Sequence, residues 1–290
     1  MNIIIGGGLI GSHIAKEKGG IILEEQPYIG GLFSLSFKDL GITLVPPLVK
    51  DKILVNKFFS NLKFDEFRPQ VIYEKEKYLK DKVCDSCEEL PSWLSFDKTI
   101  YNIENPSDII YSNNKVIFAH PVLINSNDKK IITNRGNVIT YDKIYNTGSR
   151  LKLNKLLGID ENLGYISLFD FILISQHKDT EWNIYINGSA GIIFSYIIKI
   201  QKNDLDIYYV YSFFKWGKKL PDIYRVLGDL KRLKIINKDE ILAYRSHVIK
   251  EAILYGEPVP RKVNYVEDCG RLGLWKNFSI EESLNSIRTC

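Results

Sequence analysis

The sequence predicts an α/β fold: a layer built on a short parallel sheet, joined to a smaller, discontinuous α+β region with an antiparallel sheet. Three observations predict it. Residues 3–31 read as strand, glycine-rich turn, helix and second strand. Residues 115–148 read as short strands with a hairpin turn, and residues 181–216 as aromatic strands.

The first strand is Ile3-Ile4-Ile5, which runs into Gly6-x-Gly8-x-x-Gly11. Gly6 permits a tight turn, Gly8 lets the backbone approach a pyrophosphate, and Gly11 lets helix and strand pack closely. The helix is expected over Ser12 to Lys18, where Gly19-Gly20 interrupts it. That is about two turns, so packing of Ile14 and its neighbours must hold it. Amides at its start favour phosphate charge. The second strand, Ile21-Ile22-Leu23, ends at Glu24, whose carboxylate can accept hydrogen bonds from a ribose. This is a Rossmann-like dinucleotide-binding unit. Glu24 and Glu25 point to opposite faces of an extended chain, so only one of them faces such a ligand.

Pro46-Pro47 opens a stretch that leaves this unit, with Val55, Phe58, Phe59 and Leu62 at helical spacing. Strands return at Val116-Ile117-Phe118, Val122-Leu123-Ile124, Ile131-Ile132-Thr133 and Val138-Ile139-Thr140, with Asn134-Arg135-Gly136-Asn137 as a hairpin turn. Trp182 to Ile186, Ile192 to Ile200 and Ile207 to Phe214 form an antiparallel sheet. Within Pro221 to Val226, Arg225 stands among apolar neighbours and must find a partner or water. The dinucleotide-binding domain is expected at residues 1–45, 105–155 and 256–290, and a substrate or cap domain at residues 46–104 and 156–255.

The chain has 290 residues, with 39 Lys+Arg against 35 Asp+Glu. The basic residues are scattered, so charge gives no support for nucleic-acid binding. No apolar run approaches a membrane span. The N-terminus lacks the basic start of a signal peptide, which leads to the expectation of a cytoplasmic protein. The four cysteines include Cys84-x-x-Cys87, open as a disulfide, a redox pair or two thiols. No second Cys-x-x-Cys or close histidine pair accompanies it, so no metal site is expected. Cys269 is expected to lie unreactive beside the ligand.

Two segments resemble a known superfamily. Glu24-Glu25-Gln26-Pro27-Tyr28-Ile29-Gly30-Gly31-Leu32-Phe33-Ser34 has an acidic strand end, a spacer, and Gly-Gly followed by an apolar residue. This is similar to the two-dinucleotide-binding-domain FAD flavoproteins, which include amine oxidases, protoporphyrinogen oxidase, phytoene desaturase and UDP-galactopyranose mutase. Cys269-Gly270-Arg271-Leu272-Gly273-Leu274-Trp275, leading to Phe278-Ser279-Ile280, resembles their C-terminal flavin motif. Ser279 with Glu282 also reads as a capping box at a helix start.

The resemblance implies a three-layer FAD-binding domain with a β-meander. It implies that Gly6, Gly8, Leu9, Ile10 and Gly11 meet the FAD phosphates, and that Glu24, six positions before Gly30, or its neighbour Glu25 binds the ribose. Gly30, Gly31, Leu32 and Phe33 then pass beside the phosphates and ribityl chain, and the Phe37 to Ile42 hairpin leads toward the flavin. Val122 or Ile124 is an adenine-side contact, and Thr147-Gly148 ends the returning strand at the cofactor. Gly270, Arg271, Trp275, Ser279 and Ile280 belong to the flavin side, where a helix N-terminus favours a reduced, anionic ring. Tyr224 and Arg225 are similar to a substrate-lining strand of the mutase and protoporphyrinogen-oxidase branches.

The implied activity is hydride transfer from a small organic substrate to FAD. A non-catalytic FAD-binding or electron-transfer subunit with a protein partner, and a mutase-like flavin isomerase, are the alternatives. No catalytic side chain is identified. The chain is shorter than is usual in this superfamily, which implies a reduced substrate domain. Val45-Pro46-Pro47-Leu48 stands where mutases carry a glycine-rich segment, and prolines lack its amide donors.

Overall fold

The computed structural model describes residues 1–111, 115–261 and 263–290. Ile3-Ile4-Ile5 falls within β1 (Asn2–Ile5), and the glycine turn leads into α1 (Leu9–Lys18) and β2 (Ile21–Leu23). The helix therefore starts three residues earlier than Ser12, because Leu9, Ile10 and Gly11 already take part in its first turn. A one-turn helix at Gly31–Phe33 precedes the hairpin β3 (Leu35–Phe37) and β4 (Ile42–Thr43). Next come β5 (Leu48–Val49), α2 (Lys52–Phe58), β6 (Phe64–Phe67), β7 (Val71–Glu74), α3 (Leu79–Cys84) and β8 (Ile100–Ile103).

The second half opens with β9 (Lys115–Ile117), the meander β10 (Pro121–Asn125), β11 (Lys130–Thr133) and β12 (Val138–Thr140), and β13 (Lys143–Asn146). After α4 (Arg150–Leu157) come β14 (Gly164–Gln176), β15 (Ile184–Asn187), β16 (Tyr196–Lys202) and β17 (Leu205–Phe214). The chain ends through α5 (Ile223–Arg232), β18 (Ile241–Tyr255), β19 (Val266–Asp268), α6 (Gly270–Leu274) and α7 (Ile280–Ser286).

The predicted α/β class holds. A five-stranded sheet in the order β19-β13-β1-β2-β9 is parallel throughout. Its central strands β1 and β2 are buried apolar runs, as a covered parallel sheet requires, while the edge strands β9 and β19 carry Lys115, Glu267 and Asp268. The meander forms a separate antiparallel sheet. The second large sheet runs β18-β14-β17-β16-β15-β7 and is antiparallel except where β15 meets β7. β14 shows the two-residue alternation of a strand covered on both sides. Leu168, Ile172 and Ile174 enter one core, while Phe169, Phe171 and Leu173 enter another that α5 covers with Val226 and Leu230. β14 and β18, the two longest strands, lie outside the strands read from the sequence.

Two readings are corrected. Pro221 to Val226 is not a strand. Asp222 accepts from the Tyr224 amide and caps α5, and the apolar residues Ile223, Val226, Leu227 and Leu230 recur at helical spacing. Cys269, expected to lie unreactive beside the ligand, is instead part of a disulfide. Leu284 and Ile287 are buried in the core beneath the parallel sheet, and Cys290 is disulfide-bonded to Cys269. Cys84 and Cys87 form a second disulfide. Among the described residues, no helix is long and apolar enough to cross a membrane, and no cluster of His, Cys, Asp and Glu could hold a metal ion.

Candidate functional site

The glycine turn places three backbones against one another. Gly6 has φ +100°, and a Cβ there would lie 2.9 Å from Thr147 Oγ1. A Cβ on Gly11 would lie 1.9 Å from the Gly6 carbonyl oxygen, so only glycine lets α1 pack this close to β1. A Cβ on Gly8 would meet nothing within 4 Å. Gly8 lines a cavity of about 290 Å³, and Leu9, Ile10 and Gly11 line it too. No side chain caps α1 and no acid stands in its first turn, which leaves the amides there available to an anion.

Glu24 is almost completely buried and fixes the loop beneath. Its Oε2 accepts from the Gly7 amide at 2.6 Å and its Oε1 from the Gln26 amide at 2.7 Å. Each carboxylate oxygen keeps a further lone pair for a hydroxyl. The Gly30 amide donates to the Gly7 carbonyl at 2.8 Å, which brings Gly30, Gly31, Leu32 and Phe33 to the cavity wall. On the far side, Thr147 Oγ1 shares its one proton between the carbonyls of Ile5 and Gly6, and Thr147 lines the cavity with Gly148 behind it.

The C-terminal segment closes the cavity. Gly270, at φ +66°, packs against Ile10. Arg271 lines the wall and donates to the backbone carbonyls of Glu251 and Ala252. Burial lowers its pKa to about 10, and the nearby Glu251 acts in the opposite direction. Its contacts are with the edge of β18, not with a surface carboxylate. Ser279 makes the expected capping box with Glu282, and Ser279, Ile280 and Glu281 all line the cavity. Glu281 accepts from the amides of Lys50 and Asp51, which ties α7 to the chain after the prolines.

Other expected site residues lie elsewhere. Glu25 is exposed and pairs with Lys152, because strand alternation turns it away from Glu24. Val122 is 45% exposed on the meander and is not part of the cavity wall. Trp275 is buried at φ +55°, its indole nitrogen donating to the Tyr255 carbonyl outside the wall. Tyr224 and Arg225 stand on the solvent side of α5, Tyr224 79% exposed.

The wall also includes residues that carry no motif. Val45, Pro46, Leu48, Trp93, Phe96 and Ile100 come from the stretch after the hairpin, and Leu168, Ile198, Tyr211, Ile249 and Ala252 come from the six-stranded sheet. Their common signal is only apolar patterning, which core residues share. The cavity thus runs from the start of α1 to an apolar sheet face.

No protein-family model and no curated protein matches the chain. Solved structures do match its fold. A reduced UDP-galactopyranose mutase superposes with a TM-score of 0.67 at 11% identity, over 99% of this chain and 91% of that one. A geranylgeranyl bacteriochlorophyll reductase-like protein from Thermoplasma acidophilum gives 0.59 at 12% identity, over 99% and 75%. BrvH, a flavin-dependent halogenase from Brevundimonas sp. BAL3, gives 0.51 at 10% identity, over 99% and 69%. At these identities the likeness establishes the fold.

Proposed function

We propose that the chain is a flavoprotein that binds FAD and acts as an oxidoreductase on a small organic substrate. The observation that carries this reading is the continuity of one cavity. It joins the uncapped start of α1, the Gly30–Phe33 turn, Thr147, Arg271 and Ser279 to the apolar face of the second sheet. A dinucleotide fits the first part, because Gly8 leaves open space where any side chain would project.

In this reading Gly8 to Gly11 receive the pyrophosphate through α1, and Glu24 accepts from the ribose. Gly30 to Phe33 and Thr147-Gly148 flank the chain between phosphates and ring. Arg271, Ser279 and Ile280 stand at the ring end. FAD supplies the hydride acceptor, so no obligatory acid or base need stand in the wall. Leu168, Ile198, Ile249 and Ala252 exclude water from the substrate end. Pro46 and Pro47 offer no amide donors there, which weighs against the mutase alternative.

The test is an anaerobic titration of the purified protein, first with dithionite and then with panels of amines, alcohols and unsaturated apolar compounds. The expected result is bleaching of oxidised flavin by at least one substrate class. Full reduction by dithionite with indifference to every panel would overturn the oxidoreductase reading in favour of an FAD-binding or electron-transfer subunit.

A further inference from the structure

β18 stands at the border of the six-stranded sheet and pairs with β14 on one side only. At 15 residues it is the longest strand in the chain. Every other border strand among the described residues has 5 residues or fewer. Short border strands, prolines and bulges are the usual protection of a sheet edge, whose unpaired amides and carbonyls otherwise template another strand. The first half of β18 lacks that protection. It contains no proline, and its pairing with β14 runs without a shift from Ala243 to Ile249.

One end of this edge is closed. Arg271 donates to the carbonyls of Glu251 and Ala252, Asn277 bonds both the amide and the carbonyl of Leu254, and the Trp275 indole donates to the Tyr255 carbonyl. From Ala243 to Ile249, β14 is the one strand that pairs with β18 among the described residues. The same run carries an apolar surface. Tyr244 and Val248 are exposed and share one face of the strand, with exposed Ser246 midway between them. Exposed Leu242 extends this surface at the start of the strand, and exposed Trp216 extends it beside Lys250, whose Nζ lies 5.0 Å from the ring centre.

The free run fits itself. Two copies that extend one sheet in antiparallel sense are related by a two-fold axis through a residue, because opposed residues must share a face. Ser246 is the midpoint of the run from Ala243 to Ile249, so only an axis there pairs the whole of it. Tyr244 of each copy then faces Val248 of the other, an aromatic and β-branched pair that occurs twice. Ala243 faces Ile249, and Arg245 faces His247. Burial and the nearby Arg245 both lower the His247 pKa, so no like charges oppose one another. An axis one residue earlier would set Arg245 against its own copy.

We propose that β18 is the surface through which two copies of this chain associate, paired antiparallel across a two-fold axis at Ser246 so that their six-stranded sheets become one.

Sedimentation velocity on the full chain tests this, and the expected species has the mass of two chains. Ser246→Cys places a thiol on the axis, about 5 Å from its copy at Cβ, so a mild oxidant should link the two chains. Tyr244→Cys is the control, because its copies lie about 13 Å apart along the strands and should not link. Tyr244→Glu with Val248→Glu opposes like charges twice and should raise the dimer Kd about tenfold. Tyr244→Lys with Val248→Glu opposes unlike charges and should restore it. All three positions are exposed, so these variants leave the core intact. A monomer at every concentration would overturn the proposal and leave this edge to a strand of another protein. A dimer that links through Tyr244→Cys but not Ser246→Cys, or that responds equally to the two charge pairs, would overturn it as well.

Discussion

Glu24 and Glu25 are chemically identical neighbours with opposite surroundings: one holds two backbone amides beside the glycine loop, and the other reaches Lys152 at the surface. Glu24→Ala should weaken FAD binding by about 1.5–3 kcal/mol, the scale of a lost charged hydrogen-bond partner. Glu25→Ala should change it by less than about 0.5 kcal/mol. Equilibrium dialysis of the flavin measures both, and a larger loss for Glu25→Ala would refute the assignment. Asp170 makes a different prediction. Its folded pKa is raised above its unfolded value, so the folded protein retains a proton that the unfolded chain releases. That contribution to stability is complete below about pH 4 and is lost as pH rises toward the folded pKa. Tyr209 and Tyr211 face it from β17, and His247 and Arg245 from β18, with burial keeping both tyrosines protonated and lowering the His247 pKa. Asp170→Asn should flatten the decline of the urea midpoint above about pH 4. An unchanged slope would contradict the buried neutral acid. Glu24 was legible because the spacing to Gly30 and strand alternation fix its direction. Asp170 was not, since a single acid in an apolar run carries no spacing signal.

At the scale of elements, α4 and β19 are joined by a buried charge network. Arg150 pairs with Glu161 and Asp268, and Arg261 holds Asp268 from the other side. Removing Arg150 leaves Glu161 buried without its cation while Arg261 still holds Asp268, so Arg150→Ala should destabilise by about 3–5 kcal/mol in urea unfolding. Hydrogen bonding to Arg150 lowers the Glu161 pKa to about 2, against the opposing effect of burial. Its contribution is present above about pH 4.5 and is lost as pH falls through about 2, so Arg150→Ala should also unfold at a higher pH in acid titration. An acid midpoint equal to that of the unmodified chain would contradict this. The cap of α7 is smaller in scale: Ser279→Ala should cost about 1 kcal/mol. The capping box and the β1–α1–β2 unit were readable because local rules set them. The start of α1 was misplaced by three residues because Leu9, Ile10 and Gly11, which read as part of the glycine loop, already form its first turn. Pro221 to Val226 misled because Tyr224 and Arg225 resemble a strand motif, whereas the Asp222 cap and the spacing of Val226 and Leu230 specify a helix.

At the scale of the whole molecule, the cavity exists because the start of α1 and the inner face of the six-stranded sheet meet across the prolines after the hairpin. The fold class was legible, and so was the glycine end of the cavity. The sheet end was not. β14 pairs with both β17 and β18, strands distant in sequence, and only that pairing sets Leu168, Tyr211 and Ile249 side by side. Long-range register leaves no local mark beyond apolar alternation. The central claim is that the glycine end of this cavity is built for FAD. Acid precipitation of the purified protein, followed by chromatographic identification of the released nucleotide, tests it most directly. The account predicts a yellow protein that releases FAD without covalent attachment. Release of NAD, or failure to take up FAD on reconstitution, would contradict it.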